Sequence, residues 1–176
     1  MNCFIFLKDD ILKKKGNKYL EKLWNIEELK FEIQKQKEEG KVIVFANGCF
    51  DILHVGHIRY LREAKESGDL LVVGINSDHS ARVLKGKGRP FVSEAERLEI
   101  ISELICVDFI ILFEELDVSS ILLDLQPHFH VKGTDYTLDN VPEKDTVESY
   151  GGKILICGDA KNHSSSELGK ILKESN

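Results

Sequence analysis

The sequence predicts an α/β protein, a doubly wound sheet of five parallel strands flanked by helices. Three observations carry that expectation. The apolar runs are continuous rather than alternating, as in Asp69-Leu70-Leu71-Val72-Val73-Gly74-Ile75-Asn76. Such a strand is buried on both faces, which is the condition of a parallel sheet. Helical segments separate the runs, so strand and helix alternate along the chain. Polar residues gather just after the runs, at the carboxyl ends where sheets of this kind bind ligands.

Size and composition fit this class. The 176 residues suit one domain with a full core. Hydrophobic residues make up 42% and charged residues 31%, as in an ordinary globular protein. The formal net charge of −6 argues against general affinity for nucleic acid or an anionic membrane. A phosphate site must therefore be a local cluster of basic residues. Cys3, Cys49, Cys106 and Cys157 lie far apart and form no CxxC pair. That is the usage of a reduced, cytoplasmic protein rather than of a disulfide framework or zinc site. No apolar run is long enough to span a bilayer. Cys3-Phe4-Ile5-Phe6-Leu7 has no basic residue before it and Asp9-Asp10 after it, so it is not read as a signal sequence.

Residues 1–23 read as an N-terminal extension, with Lys13-Lys14-Lys15-Gly16-Asn17-Lys18 as a solvated arm. Residues 24–176 read as a single domain. Asn25 with Glu28 starts a helix, Trp24 and Leu29 form a hydrophobic staple, and Gly40 closes it. Val42-Ile43-Val44-Phe45-Ala46 is the first strand, and a helix follows to about Ser67-Gly68. The second strand is the Asp69–Asn76 run. Ser77-Asp78-His79-Ser80 opens a short helix, and Lys85-Gly86-Lys87-Gly88-Arg89-Pro90 is a basic, glycine-rich loop. Ser93 with Glu96 caps a helix from Glu94 to Leu104. Val107 to Leu112 is the third strand, Ser119 to Leu125 a helix, and Phe129 to Gly133 the fourth strand. Pro142 to Tyr150 is expected to be helical, Lys153 to Cys157 is the fifth strand, and Ser164 to Lys173 the last helix. The result is a Rossmann-like order of elements.

The chain is organised around Asn47-Gly48-Cys49-Phe50-Asp51-Ile52-Leu53-His54-Val55-Gly56-His57. Two histidines three apart share one side of a helix's first turn. Free backbone N–H groups and the positive end of the helix dipole favour an anion there. Gly56 leaves the backbone open to a ligand. A metal would need a third ligand, and His79, His128, His130 and His163 follow no recognised spacing, so zinc is not expected. The loop with Lys85, Lys87 and Arg89 is either a solvated turn or a phosphate clamp, and its place after the second strand favours the clamp. Its GxG is not a dinucleotide fingerprint, and no Walker A motif occurs. Ser164-Ser165-Ser166-Glu167 fits a capping box and a phosphate-binding helix start, and both can hold. Arg97 reads as a partner of Glu94 or Glu99 on its own helix, and Cys49 as a small packed residue rather than a nucleophile.

Gly48-Cys49-Phe50-Asp51 with His54-Val55-Gly56-His57 resembles the HxGH nucleotidyltransferases, the cytidylyltransferase-like group. The resemblance covers about residues 24–173. Asn76-Ser77-Asp78, Leu84-Lys85-Gly86 with Arg89-Pro90, Glu96-Arg97, Val131-Lys132-Gly133 with Asp135-Tyr136, Gly151-Gly152 and Ser164-Ser165-Ser166 follow in order. Together they are most similar to the adenylyltransferase half of the bifunctional heptose kinase/adenylyltransferase, which makes ADP-heptose for lipopolysaccharide core. Three positions depart from that pattern: Ser165 and Ser166 stand where Ser-Thr-Thr has threonines, and Thr134 where a second glycine is common. With no sugar-kinase segment before the motif, a stand-alone transferase is expected.

The resemblance implies transfer of AMP from ATP to D-glycero-D-manno-heptose 1-phosphate, with Mg²⁺ on the triphosphate. It implies catalytic roles for His54, His57 and Lys85. It places Asn47, Gly48, Phe50, Asp51, Gly56, Lys132, Gly133, Asp135, Ser164, Ser165 and Ser166 around the nucleotide, with both histidines. Asp51, Asn76, Lys85, Arg89 and Tyr136 are expected around the sugar phosphate. The partners implied are small-molecule substrates, with a homodimer left open. Two other readings are kept: a cytidylyltransferase acting on a polyol phosphate such as glycerol 3-phosphate, and a nucleotide-binding sensor without turnover.

Overall fold

The structure is a computed structural model and describes residues 21–159. The expected last helix, with His163 and Ser164 to Ser166, lies outside the described residues. The elements run α1 (Ile26–Glu38), β1 (Ile43–Gly48), α2 (Val55–Glu66), β2 (Leu70–Asn76), α3 (Asp78–Lys85), α4 (Glu94–Ser102), β3 (Phe109–Phe113), α5 (Ser119–Leu125), β4 (Phe129–Gly133), α6 (Lys144–Ser149) and β5 (Lys153–Cys157). Every strand pair is parallel, and the order across the sheet is β3-β2-β1-β4-β5. The expected doubly wound, Rossmann-like fold is therefore present. No described helix is long and apolar enough to cross a membrane.

Alternation along the strands divides the core in two. Val44 and Ala46 of β1 pack with Tyr60, Leu61 and Ala64 of α2 and with Leu98 and Ile101 of α4. Ile43 and Phe45 belong to the opposite layer, with Leu29 and Ile33 of α1, Leu122 and Leu125 of α5, and Val147 of α6. These strand residues are fully buried, as continuous apolar runs require.

Sequence order steps outward from β1 to β2 and β3, then returns to β4 on the other side of β1. The switch lies between β1 and β4, where Ala46 is level with Val131. The next residues on each strand, Asn47 and Lys132, stand where the two connections diverge. Crevices of this kind are where open α/β sheets bind ligands.

Some boundaries differ from expectation, each for a physical reason. β1 continues through Asn47 to Gly48 because both residues keep their pairing with β2. β3 starts at Phe109 rather than Val107. Val107 is buried, but its N–H closes a turn onto Leu104 O instead of joining the sheet. α6 is shorter than the expected Pro142–Tyr150 helix and begins at Lys144, because Glu143 turns inward to Lys132. The packed unit also starts before Trp24. Leu23 is buried, the Trp24 N–H donates to Ile110 O at 2.9 Å, and Lys22 Nζ reaches Leu104 O at 2.9 Å.

Candidate active site

The turn after β1 builds the first wall. Phe50 adopts a positive φ of 48°, a conformation few bulky residues tolerate. Its ring lies against the Gly48 Cα, where an added Cβ would stand 3.3 Å from it, and meets the His57 ring edge-on at 5.4 Å. This strained turn drops His54 into the N-cap position of α2, where Ser, Thr or Asp is usual. The His57 Nδ1 accepts the His54 backbone N–H at 3.3 Å, and the two rings stack at 3.9 Å. Because Nδ1 is an acceptor, the neutral His57 ring carries its proton on Nε2. The first turn of α2 contains no acidic residue of its own to oppose an anion there. Gly56 has a further use beyond an open backbone: a Cβ there would lie 3.0 Å from the His54 ring.

Burial first, then His54 and Lys85, pushes the His57 pKa down from 6.5 to about 4. At neutral pH His57 is an uncharged N–H donor. Between pH 6.5 and 4 the unfolded chain takes up a proton that the folded chain refuses. Stability from this ring is thus complete above pH 6.5 and falls as pH drops to 4, by about 3 kcal/mol at most. Urea unfolding of wild type and His57→Asn between pH 7 and 4.5 checks this. The variant is expected to lose less stability on acidification; equal losses would contradict it. His128 and His130, also held below the usual range by burial, contribute alike to both proteins.

The second wall is the segment after α3. Lys85 is the last residue of α3 and lies exposed on the cleft. Gly86 and Gly88 follow with φ of 90° and 81°, which side-chain-bearing residues rarely adopt. The loop is then tied down by Asp51. That carboxylate is 3% exposed, pairs with Arg89 at 2.6 Å and accepts from the Phe91 and Val92 N–H groups at 2.6 and 3.0 Å. The Arg89 guanidinium also lies 4.4 Å from the centre of the Phe91 ring. Asp51 and Arg89, expected on substrate, are thus engaged with each other and hold the loop against the β1 exit. Asn76 is similar: its amide donates to Ser80 Oγ and its carbonyl faces Cys49 Sγ at 3.7 Å. Cys49 is buried, which pushes its thiol pKa up, as a packed residue rather than a nucleophile requires.

Arg97 does not pair along its own helix. It is fully buried and fastens three segments together. Nη1 donates to Cys49 O at 2.6 Å and Asn76 O at 2.7 Å, Nη2 to Asp78 at 2.8 Å, and Nε to Val92 O at 3.0 Å. The expected pairing with Glu94 or Glu99 is displaced because Glu94 instead accepts the Asp78 N–H. Buried carbonyls at the ends of β1 and β2 needed a donor, and the planar guanidinium reaches both.

The third wall comes from β4. Lys132 Nζ donates to Asn47 Oδ1 and to Glu143 Oε1, both at 3.0 Å. His130, two residues earlier on the same side of β4, has Nε2 3.6 Å from the other Glu143 oxygen. Burial opposes ionisation of Glu143, but His130 and Lys132 overcome it and hold the carboxyl at about 2. Gly133, Asp135 and Tyr136 continue along the rim, and the Tyr136 ring centre is 5.4 Å from Lys132 Nζ. Beyond β5, Asp159 is paired with Arg59 of α2, and its carbonyl accepts from the Thr134 hydroxyl.

These walls enclose one cleft of about 670 Å³. It brings together Asn47, Gly48, Phe50, Asp51, His54, Gly56, His57, Asn76, Lys85, Arg89, Lys132, Gly133, Asp135 and Tyr136, the expected site residues among those described. Glu143 and Asp117 also line it and were not expected. Polar residues at His130 and Lys132, inside an otherwise apolar strand, were the available signal that a buried partner such as Glu143 had to exist.

Residues 45–172 match the family model described as cytidylyltransferase-like, a span that begins inside β1 and includes the whole described cleft. The chain belongs to the cytidylyltransferase-like family. Among relatives, it is 50% identical over 135 residues to the bifunctional protein HldE of Geotalea uraniireducens. That match covers 77% of this chain and 28% of the relative. Against the bifunctional protein HldE of Geobacter sulfurreducens it is 44% identical over 153 residues, 86% of this chain and 31% of the relative. The chain thus spans about three tenths of the length of these curated relatives. A solved structure, a lipopolysaccharide core biosynthesis protein from Thermoplasma volcanium, superposes with a TM-score of 0.61 at 36% identity, covering 69% of this chain and all of that one. Pantoate-beta-alanine ligase from Francisella tularensis shares the fold, with a TM-score of 0.57 at 15% identity, over 86% of this chain and 76% of that one.

Proposed function

We propose that this cytidylyltransferase-like chain transfers AMP from ATP to D-glycero-D-manno-heptose 1-phosphate, giving ADP-heptose and pyrophosphate. The observation that carries the proposal is the stacked His54/His57 pair at the α2 N-terminus, which shares with Lys85 the cleft at the strand-order switch. The relatives named bifunctional protein HldE, and the heptose-branch resemblance of Val131-Lys132-Gly133 with Asp135-Tyr136, support the choice of sugar.

The chemistry is a direct displacement. An oxygen of the sugar phosphate attacks the α-phosphorus, and the bond from that phosphorus to the bridging oxygen of the β-phosphate breaks. Pyrophosphate departs with that bond's electron pair. The nucleophile is already an anion, so no side chain has to remove a proton from it. Catalysis then rests on positioning and on stabilising charge. His57 donates from Nε2 toward the phosphates, and the α2 N–H groups beside it add their partial charge. Lys85, exposed on the cleft, neutralises the triphosphate and the incoming sugar phosphate. Ser164, Ser165 and Ser166 are assigned to the phosphate oxygens by resemblance alone. Magnesium belongs on the triphosphate, held by its oxygens and by water. Among the described residues no three His, Cys, Asp or Glu side chains converge to hold a metal. On this reading the protein binds the phosphates that carry the ion.

A pyrophosphate-release matrix of four nucleoside triphosphates against several sugar and polyol phosphates tests the assignment. ATP with the heptose 1-phosphate is expected to give the highest kcat/KM. CTP with glycerol 3-phosphate exceeding it would replace this reading with the polyol one.

A further inference from the structure

We infer that Lys132 and Glu143 are positioning residues that orient the Asn47 side-chain amide, so that its NH₂ group is presented to the nucleotide. The inference deepens the nucleotide reading of the cleft and rests on it.

Lysine has donors only, so the Asn47 atom 3.0 Å from Lys132 Nζ must be the carbonyl oxygen. The opposite orientation would set two donors face to face. The NH₂ group therefore points away from Lys132. It donates to no acceptor among the described residues, and Asn47 lines the cleft. The wall between β1 and β4 thus offers two N–H bonds to an acceptor, such as an oxygen or ring nitrogen of a nucleotide.

Keeping that orientation requires Lys132 to keep its proton. Lys132 is only 6% exposed, and burial pulls its pKa down. Glu143, 3.0 Å away and itself 4% exposed, pulls it back up, with a smaller contribution from Asp117. The remaining polar groups around Lys132 do not replace that carboxylate. Buried His130 is held below its usual pKa, Tyr136 offers its ring, and the Tyr60 hydroxyl is committed to Val131 O at 2.8 Å. Without the Glu143 charge, Lys132 would deprotonate more easily. A neutral amine can accept a hydrogen bond, which frees the Asn47 amide to turn its carbonyl to the ligand.

Wild type, Glu143→Gln and Asn47→Asp are compared for Mg·ATP affinity by calorimetry from pH 6 to 9. Thermal unfolding checks each fold. Wild type is expected to vary little with pH. Glu143→Gln should match wild type at pH 6 and bind on the order of tenfold more weakly at pH 9, the value of one hydrogen bond to a charged group. Asn47→Asp keeps an acceptor for Lys132 but has no NH₂, and should bind about tenfold more weakly at every pH. A Glu143→Gln profile parallel to wild type, or an Asn47→Asp protein that binds as wild type does, would overturn the inference. Failure of wild type to bind ATP would overturn the nucleotide reading instead. The Asn47 side-chain ¹⁵N signals of the ligand-free proteins separate the two. They should shift with pH in Glu143→Gln and not in wild type, and equal behaviour would overturn the positioning role.

Discussion

His57→Ala is expected to lower turnover at least a hundredfold while the protein still unfolds in one cooperative transition above pH 6.5. His57 stands on the first turn of α2 with its Nδ1 engaged by the His54 N–H, so its proton sits on Nε2. A donor fixed in this way loses little on reorganisation when charge develops between the α- and β-phosphates. Removing one such donor from a charge-stabilising site typically costs about 3 kcal/mol. The structural loss is smaller, being chiefly the stacking on His54 and the edge contact with Phe50. Steady-state kinetics beside urea unfolding separates the two effects. Near-normal turnover in a folded His57→Ala protein would remove the histidine pair from the chemistry.

Arg97→Met is expected to produce the largest loss of stability, about 3 to 5 kcal/mol. The guanidinium is fully buried and bonds Cys49 O, Asn76 O, Val92 O and the Asp78 carboxylate. Methionine fills the volume but leaves those acceptors without donors. The same change loosens the turn that carries His54 and the segment anchored by Asp51, so turnover should fall as well. Arg97→Lys keeps the charge without the planar fork, and should recover part of the stability and little of the turnover. Denaturant unfolding and kcat on the three proteins check this. An Arg97→Met protein within 1 kcal/mol of wild type, on the order of one ordinary hydrogen bond, would refute the anchoring role.

The contrast between β4 and Arg97 shows what could be read from the residues alone. Strands such as Leu70–Asn76 and Phe129–Gly133 are buried on both faces, so local composition reports their environment directly. The histidine pair was visible for the same reason: His54 and His57 act through a local geometry, the first turn of one helix. Arg97 was misread because its helix neighbours Glu94 and Glu99 are the only partners that spacing reveals. Three of its four partners lie 48, 21 and 19 residues away in the chain, and the fourth is the Val92 carbonyl just before the helix. Asp51 and Arg89 carry the charges of a ligand site, yet in the fold they neutralise each other. Which charges meet each other and which meet a ligand is decided by tertiary packing, and no periodicity encodes it. Glu143 was hidden by the expectation of a helix from Pro142, which would have placed it among surface residues rather than under Lys132.

In the proposed reaction the cleft between β1 and β4 moves a nucleotidyl group directly onto a sugar phosphate. Pyrophosphate release by the wild-type chain with Mg²⁺, ATP and D-glycero-D-manno-heptose 1-phosphate tests it most directly. The expected result is one pyrophosphate for each ADP-heptose formed, with no release and no ATP–pyrophosphate exchange when the sugar phosphate is omitted. Pyrophosphate from no combination of nucleotide and sugar phosphate would contradict the claim.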